Sequence, residues 1–358
     1  MNERTKCLVE KMQTRDLPAL LVSDQVNRRY LTGFTGSAGA ALVTPTGAHL
    51  VVDGRYTEQA ADQAEGYCIV PAGQDLNRAV GELLARLELD RVGFEAESVT
   101  YEVYHRLDTE MEGIEWVPTT GLVGELRMVK DSGEIECISE AASIADKAFE
   151  EILFSVTPGR TEKEVALDFE FCMRRGGAEG LAFPLIAVSG ARSALPHGSP
   201  TDKEIADGDF VTFDYGVRLA GYCSDATRTV IVGKATDEQR KVYDAVRRAQ
   251  EAAVKAVAPG ITGRELDSIA REIIEEAGYG EYFGHGLGHG VGMAVHEGPS
   301  LSQRRGDTTL EPGMVVTVEP GIYIPGWGGV RIEDLAVVTD SGCEILTSIG
   351  KSLVVLGV

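Results

Sequence analysis

At 358 residues, with 43% hydrophobic and 25% charged side chains, the chain has the composition of a soluble globular protein and length for two domains with sizeable cores. A formal net charge of −22 excludes the basic stripe that a nucleic-acid surface needs. The start, MNERTKCLVEKM, carries charges where a signal peptide has an apolar run, and no stretch approaches the roughly 18 apolar residues of a membrane span. A cytoplasmic protein with no nucleic-acid or membrane partner is expected. The six cysteines are scattered without a C-x-x-C pair, so reduced thiols are expected; Cys223, two residues before Asp225, is taken as structural.

In chain order, residues 1–13 have the spacing of an amphipathic helix and LPALLVS (17–23) reads as a buried strand. NRRYLTGFTGSAG (27–39) is turn-rich, and AALVT (40–44) and HLVVD (49–53) are strands. Helices are expected over 56–64, 76–89 and 100–111, with a strand at RVGFEAE (91–97). These make a compact α/β unit. His49 and His105 sit in no cluster of potential ligands and are read as structural. DGRY (53–56) fits either a turn or a substrate-facing loop. Around 121–131 the pattern changes to DSGEIECISEAASIADKAFEEIL, with apolar residues at helical spacing. The expected domains are therefore 1–125 and 126–358.

The second domain echoes itself. PGRTEKEV (158–165) recurs as PGITGREL (259–266), each copy ending one helix and opening the next with a capping box, Thr161/Glu164 and Thr262/Glu265. HGSP (197–200) likewise parallels HEGP (296–299). Two related helix–helix–strand halves sharing one site are expected.

Chemistry collects in three places. FVTFDYGVRLAGYCSDATR (210–228), read as two strands folded about 219–220, sets Asp214 and Asp225 opposite one another on one face, with Arg218 and Arg228 directed elsewhere. Two carboxylates so placed repel, and a bound cation reverses the sign of that interaction. GHGLGHGVG (284–292), read as a strand, puts His285, Leu287, His289 and Val291 on one face. In MVVTVEPGIY (314–323) and GGVRIEDLAVV (328–338), Thr317 and Glu319 share a face, as do Arg331 and Glu333. Arg331 is a candidate counter-ion for Glu333, and Asp334 points the other way. Asp214, Asp225, His289, Glu319 and Glu333 then give four carboxylates and one imidazole, a charge that balances two divalent cations. So oxygen-rich a set suits Mn²⁺, with Co²⁺, Zn²⁺ or Fe²⁺ also possible. A water held between two such ions would be acidified strongly, toward about 7, and could attack a polarised carbonyl.

These five residues in this order, with LPHG (195–198), GHGLGH (284–289), VHEGP (295–299), VEPGIY (318–323) and VRIED (330–334), resemble the pita-bread metallopeptidases. The chain is most similar to their Xaa-Pro aminopeptidase and prolidase branch, and NRRYLTGF and DGRY resemble its creatinase-type N-terminal domain. The resemblance implies a mixed α/β (α+β) protein with a creatinase-like N-terminal domain and a pita-bread catalytic domain. It implies a dinuclear metal site at Asp214, Asp225, His289, Glu319 and Glu333. His197 and His296 would contact the substrate carbonyl and transition state, His285 would line a proline pocket, and Arg331 would orient groups at the site. The implied reaction is hydrolysis of the Xaa-Pro bond at the N-terminus of peptides, by a homodimer, with Glu319 taking the proton of the attacking water. Whether the substrates are dipeptides alone or longer peptides stays open. A non-catalytic binding module of the same fold is disfavoured because all five ligand residues are present.

Overall fold

A computed structural model describes residues 1–73 and 75–357. The chain forms two compact units, Met1–Arg127 and Met128–Val358. The first is a six-stranded mixed sheet in the order Cys68–Ala72, Gly47–Asp53, Gly39–Thr44, Leu20–Val22, Arg91–Glu95, Glu115–Thr119. Helices Glu3–Thr14, Thr57–Gln63, Leu76–Arg86 and Tyr101–Glu110 occur where the apolar spacing predicts them. The two edge strands, Cys68–Ala72 and Glu115–Thr119, each contain a proline, which an edge tolerates but which blurs the strand signal.

The segment read as turn-rich corrects that reading, because Gln25–Thr32 is a helix. Asp24 caps it by accepting from the Asn27 N–H at 2.9 Å, and Gly33 ends it in the left-handed region at φ 75°. The pattern was obscured by Arg28, only 2% exposed, whose guanidinium donates to the Gly36 carbonyl at 2.6 Å. A cation thus fills an inward position that hydrophobic periodicity scores as polar. DGRY forms a single 3₁₀ turn, Gly54–Tyr56, capped by Asp53.

The second unit carries the repeat. Helices Ser132–Ile152 and Glu162–Arg175 form one pair, Asp237–Ala256 and Gly263–Glu276 the other. The expected capping boxes open the second helix of each pair. Each N-cap also makes a matching isolated bridge, Thr161 to Glu204 and Thr262 to Thr309. The first pair packs on a sheet ordered Val355–Leu356, Ala226–Val232, Phe210–Tyr215, Ile186–Ser189, through Phe149, Phe169, Phe213 and Tyr215. The second covers a sheet ordered Glu297–Leu301, Gly288–Gly290, Val315–Val318, Asp334–Val338, Cys343–Ile345. Its core includes Val246, Leu266, Ile274, Val316 and Val318. This is the mixed α/β architecture expected, with the two halves meeting where Thr227 bridges Glu333. Among the described residues no helix is long and apolar enough to cross a membrane.

The 210–228 hairpin turns one residue later than expected. Ala220 and Gly221 adopt positive φ, 50° and 86°, so Leu219 faces Tyr222 and Asp214 faces Thr227. Asp225 therefore lies diagonal to Asp214 rather than opposite. The slip moves the pairing by two residues, an even number, and leaves both carboxylates on one face. The Ala-Gly pair supplies the φ > 0 turn that right-twisted hairpins favour.

The capping box at Thr262 gives a test of the repeat's local energetics. The Thr262 hydroxyl accepts from the Glu265 N–H at 3.2 Å, and the Glu265 carboxylate accepts from the Thr262 N–H at 2.8 Å. Thr262→Ala should cost about 1 kcal/mol of stability, read as a lowered urea midpoint with unchanged slope. An unchanged midpoint would mean the cap is energetically idle.

Candidate active site

The two halves of the second unit enclose a cavity of about 550 Å³. All nine residues singled out from the sequence line it: Asp214, Asp225, His289, Glu319, Glu333, His197, His296, His285 and Arg331. The sheets supply them by strand alternation. Asp214 comes from Phe210–Tyr215 and Asp225 immediately precedes Ala226–Val232. His289 is central in Gly288–Gly290, while Glu319 and Glu333 flank strand ends.

Asp214, Asp225 and Glu333 each offer an oxygen within 4.8 Å of the other two. His289 Nε2 lies 3.7 Å from Asp225 Oδ2 and 3.3 Å from Glu319 Oε1. Asp225 thus joins two clusters into one set of five. Asp225 and Glu333 are almost fully buried, 4% and 2% exposed. Burial, together with repulsion from the neighbouring carboxylates, pushes both carboxyls well above their usual range. Burial likewise raises Glu319, to about 7.

Hydrogen-bond direction shows what the site fits. His289 Nδ1 is 3.1 Å from the Gly290 carbonyl, which can only accept, so Nδ1 carries the hydrogen. Burial lowers the pKa of this imidazole, which leaves Nε2 a bare lone pair facing the carboxylate oxygens of Glu319 and Asp225. Acceptor facing acceptor is repulsive unless a proton or a cation lies between. The buried Oδ1 of Asp214 has no protein partner, as expected of an oxygen reserved for the same purpose. The donor set, four carboxylates and one neutral imidazole, fits divalent cations.

Arg331 corrects two expectations. It neutralises Asp214, with Nη2 2.7 Å from Oδ2, and is a cation on the face expected to have none. It reaches Glu333 only through Thr227, whose hydroxyl accepts from Arg331 Nε at 2.9 Å and donates to Glu333 Oε2 at 2.6 Å. Its Nη1 donates to the Tyr323 hydroxyl at 2.8 Å. His285 Nδ1 donates to the Gly286 carbonyl at 2.7 Å, so its Nε2 accepts from Tyr323 at 2.9 Å. Burial, then Arg331, depresses His285 to about 4 and keeps it neutral. Thr227 and Tyr323 are the site residues that motif reading missed. Thr227 had a signal in alternation, since it stands two places from Asp225 on the same strand face; Tyr323 had none, because Glu319-Pro320 breaks the strand before it.

The glycine-rich stretch is shorter as a strand than expected, only Gly288–Gly290. Leu287 and Val291 are fully buried, with Leu287 in the second half's core, whereas His285 and His289 line the cavity. The glycines are required by close approach. A Cβ on Gly288 would meet the Thr317 carbonyl oxygen at 2.1 Å and one on Gly290 that of Gly298 at 2.0 Å. Asp334 points away, onto Arg228 and Lys351. Cys223 is buried against the Met293 carbonyl. His49 and His105 lie in the other unit.

This fold and cavity define a metal-dependent hydrolase class, and comparison with known proteins gives the family. Residues 136–340 match metallopeptidase family M24, and residues 4–129 match the creatinase/prolidase N-terminal domain. The chain belongs to metallopeptidase family M24, and membership implies divalent metal ions. It is 46% identical to the solved Xaa-Pro dipeptidase from Bacillus anthracis, with a TM-score of 0.97 and 99% of each chain covered. The X-Pro aminopeptidase from Thermotoga maritima superposes with a TM-score of 0.91 at 40% identity, covering 99% of this chain and 100% of that one. The Xaa-Pro dipeptidase of Pyrococcus horikoshii is 41% identical over 99% of both chains.

The raised carboxyls fix the sign of a pH effect. A carboxyl that holds its proton up to about 7 when folded, against 4.5 ordinarily, makes the folded state bind more protons than the unfolded one between those values. Stability from this source is present below about 4.5 and is lost as pH rises through about 7. Chelator-treated protein should therefore lose more stability between pH 5 and 7.5 (roughly) than its Glu319→Gln variant does, by roughly 2–3 kcal/mol. Saturating Mn²⁺ should raise the wild-type melting temperature more at the higher pH, because bound cations replace those protons. Parallel melting curves for the two proteins would contradict the assignment.

Proposed function

We propose that the chain hydrolyses the bond between the first residue and proline at the N-terminus of peptides, using two divalent ions held by Asp214, Asp225, His289, Glu319 and Glu333. One observation carries the reading: the His289 lone pair and the carboxylate oxygens of Asp225 and Glu319 face each other across 3.3–3.7 Å. Mn²⁺ is the preferred ion because the donors are mostly carboxylate oxygens. When bound, such ions polarise the scissile carbonyl and acidify water.

The chain's own residues do the rest. Glu319, hydrogen-bonded at Oε1 by the Thr317 hydroxyl at 3.1 Å, takes the proton of the attacking water. His197 and His296 enter the cavity from equivalent places in the two halves and donate to the carbonyl oxygen as negative charge develops on it. Arg331 holds Asp214 by the ion pair described above. His285 has both nitrogens committed to protein partners, so it presents only carbon to the cavity. Phe183, Pro184 and Leu185 also line the cavity, and together these groups give it apolar lining suited to a proline ring, whose missing N–H asks for no acceptor. A cytoplasmic location and a homodimer are part of this reading, the homodimer supported by the family resemblance alone.

A second reading, restriction to Xaa-Pro dipeptides, is favoured by the names of the relatives from Bacillus anthracis and Pyrococcus horikoshii. Mn²⁺-loaded protein assayed side by side on Xaa-Pro and Xaa-Pro-Yaa-Yaa separates the two. The first reading expects release of Xaa from both, the second from the dipeptide only. Asp225→Asn should lower either activity by more than about 100-fold; undiminished turnover would remove the metal centre from the reaction.

A further inference from the structure

The five residues are divided between the halves, so their spacing depends on what fixes one sheet against the other. The halves are joined directly at several points, among them the Thr229 hydroxyl to the Arg331 main chain and the Gly329 N–H to the Ser193 hydroxyl, and beside the ligands by the isolated Thr227–Glu333 bridge, with the Glu333 N–H donating to the Thr227 carbonyl at 3.1 Å. Behind it lies Arg228, 3% exposed, pointing away from the cavity. Its guanidinium donates to the carbonyls of Thr227 (2.9 Å) and Glu333, to Asp334 Oδ1 (2.7 Å) and to the Ile349 carbonyl (2.5 Å).

The last of these partners belongs to the C-terminal tail, which lies beyond the 136–340 match to the family. The tail grips both halves. Toward the second, Thr347 Oγ1 donates to Asp334 Oδ1 at 3.0 Å and Lys351 Nζ to Asp334 Oδ2 at 2.7 Å. The Lys351 carbonyl accepts from the Tyr243 hydroxyl at 3.2 Å. Toward the first, the Ser348 hydroxyl donates to Asp146 Oδ2 at 2.8 Å, and Val355–Leu356 extends the sheet beside Ile231 and Val232. The Asp334 carboxylate is 2% exposed and shared by two cations. Removing one leaves a buried charge short of a partner, and the loss is transmitted through Arg228 to the main chain of Glu333.

We propose that residues 347–351 act as a clasp that sets the separation of the two ligand-bearing halves, with Arg228 and Lys351 as its positioning residues. The clasp touches no substrate. It acts on how well the five residues hold metal, and so rests on the dinuclear reading above.

The test is calorimetric titration of Mn²⁺ into metal-free, full-length protein. Lys351→Met should bind about 10–100-fold more weakly than wild type, the range for residues that support metal ligands from behind. Lys351→Arg, which restores the charge, should recover most of that loss; the metal-free melting temperature of Lys351→Met is expected to fall as the buried Asp334 loses a partner, so affinity rather than stability is the deciding readout. Affinity unchanged in Lys351→Met overturns the clasp even if the protein melts earlier, since the tail would then be merely structural. Equal weakening in Lys351→Arg also overturns it. Should Lys351→Met fail to fold, Thr347→Val removes one hydrogen bond and should still weaken binding several-fold; wild-type affinity there overturns the proposal. If wild-type protein itself takes up no Mn²⁺, Co²⁺ or Zn²⁺, the metal reading falls and the clasp with it.

Discussion

Four carboxylates turned into one cavity, two of them almost wholly buried, are the constraint on which the second unit is built. At separations near 4 Å, like charges repel by about 4 kcal/mol per pair even at an effective dielectric constant of 20. One cation, Arg331, offsets one of them. The remaining charge demands either protons or metal ions, and the sheets are arranged so that the choice is made there. Rigid strands hold the carboxylates too close to coexist as anions, which makes the pocket a receptacle for positive charge.

The direction of each hydrogen bond then gives different parts of the cavity different characters. Two histidines four residues apart, His285 and His289, each commit Nδ1 to a neighbouring carbonyl. They differ in what Nε2 meets. For His285 it is the Tyr323 hydroxyl, which satisfies it and leaves a neutral apolar edge. For His289 it is a pair of carboxyl groups, which leaves it facing either their protons or a cation. The same side chain in one glycine-rich stretch thus ends with its Nε2 satisfied in one place and open in the other, which is what the proposed roles of wall and ligand require.

Much of this was legible in the sequence because it depends on parity and local capping. The Pro-Gly breaks, the capping boxes at Thr161 and Thr262 and the paired histidines His197 and His296 are all local signals, and each has its counterpart in the fold. Asp214 and Asp225 survived a misjudged turn because a shift of two residues preserves the face of a strand. What escaped was non-local. The partner of Arg331 is Asp214, 117 residues away, and no strand pattern relates the two. The helix Gln25–Thr32 was hidden by a buried arginine satisfied by carbonyls that lie later in the chain. Tyr323 lies beyond the Glu319-Pro320 break, where alternation from Glu319 ceases to be a guide.

Arg331 also explains why the charge-bearing side of the cavity and its apolar side are parts of one object. From its guanidinium, one branch runs to Asp214, a second through the Thr227 hydroxyl to Glu333, and a third through the Tyr323 hydroxyl to His285. Thr227 and Tyr323 each accept from the arginine and so have one hydrogen left to donate, which settles the orientation of everything they touch. A lysine could not do this, because a single ammonium cannot present three donors in one plane to partners that far apart. A buried ion pair adds little net stability, since desolvation cancels most of the attraction. Its worth here is geometric: the fork ties Asp214 from the first half to Glu333 and His285 from the second, so that the carboxylate cluster and the His285 side of the cavity cannot drift independently.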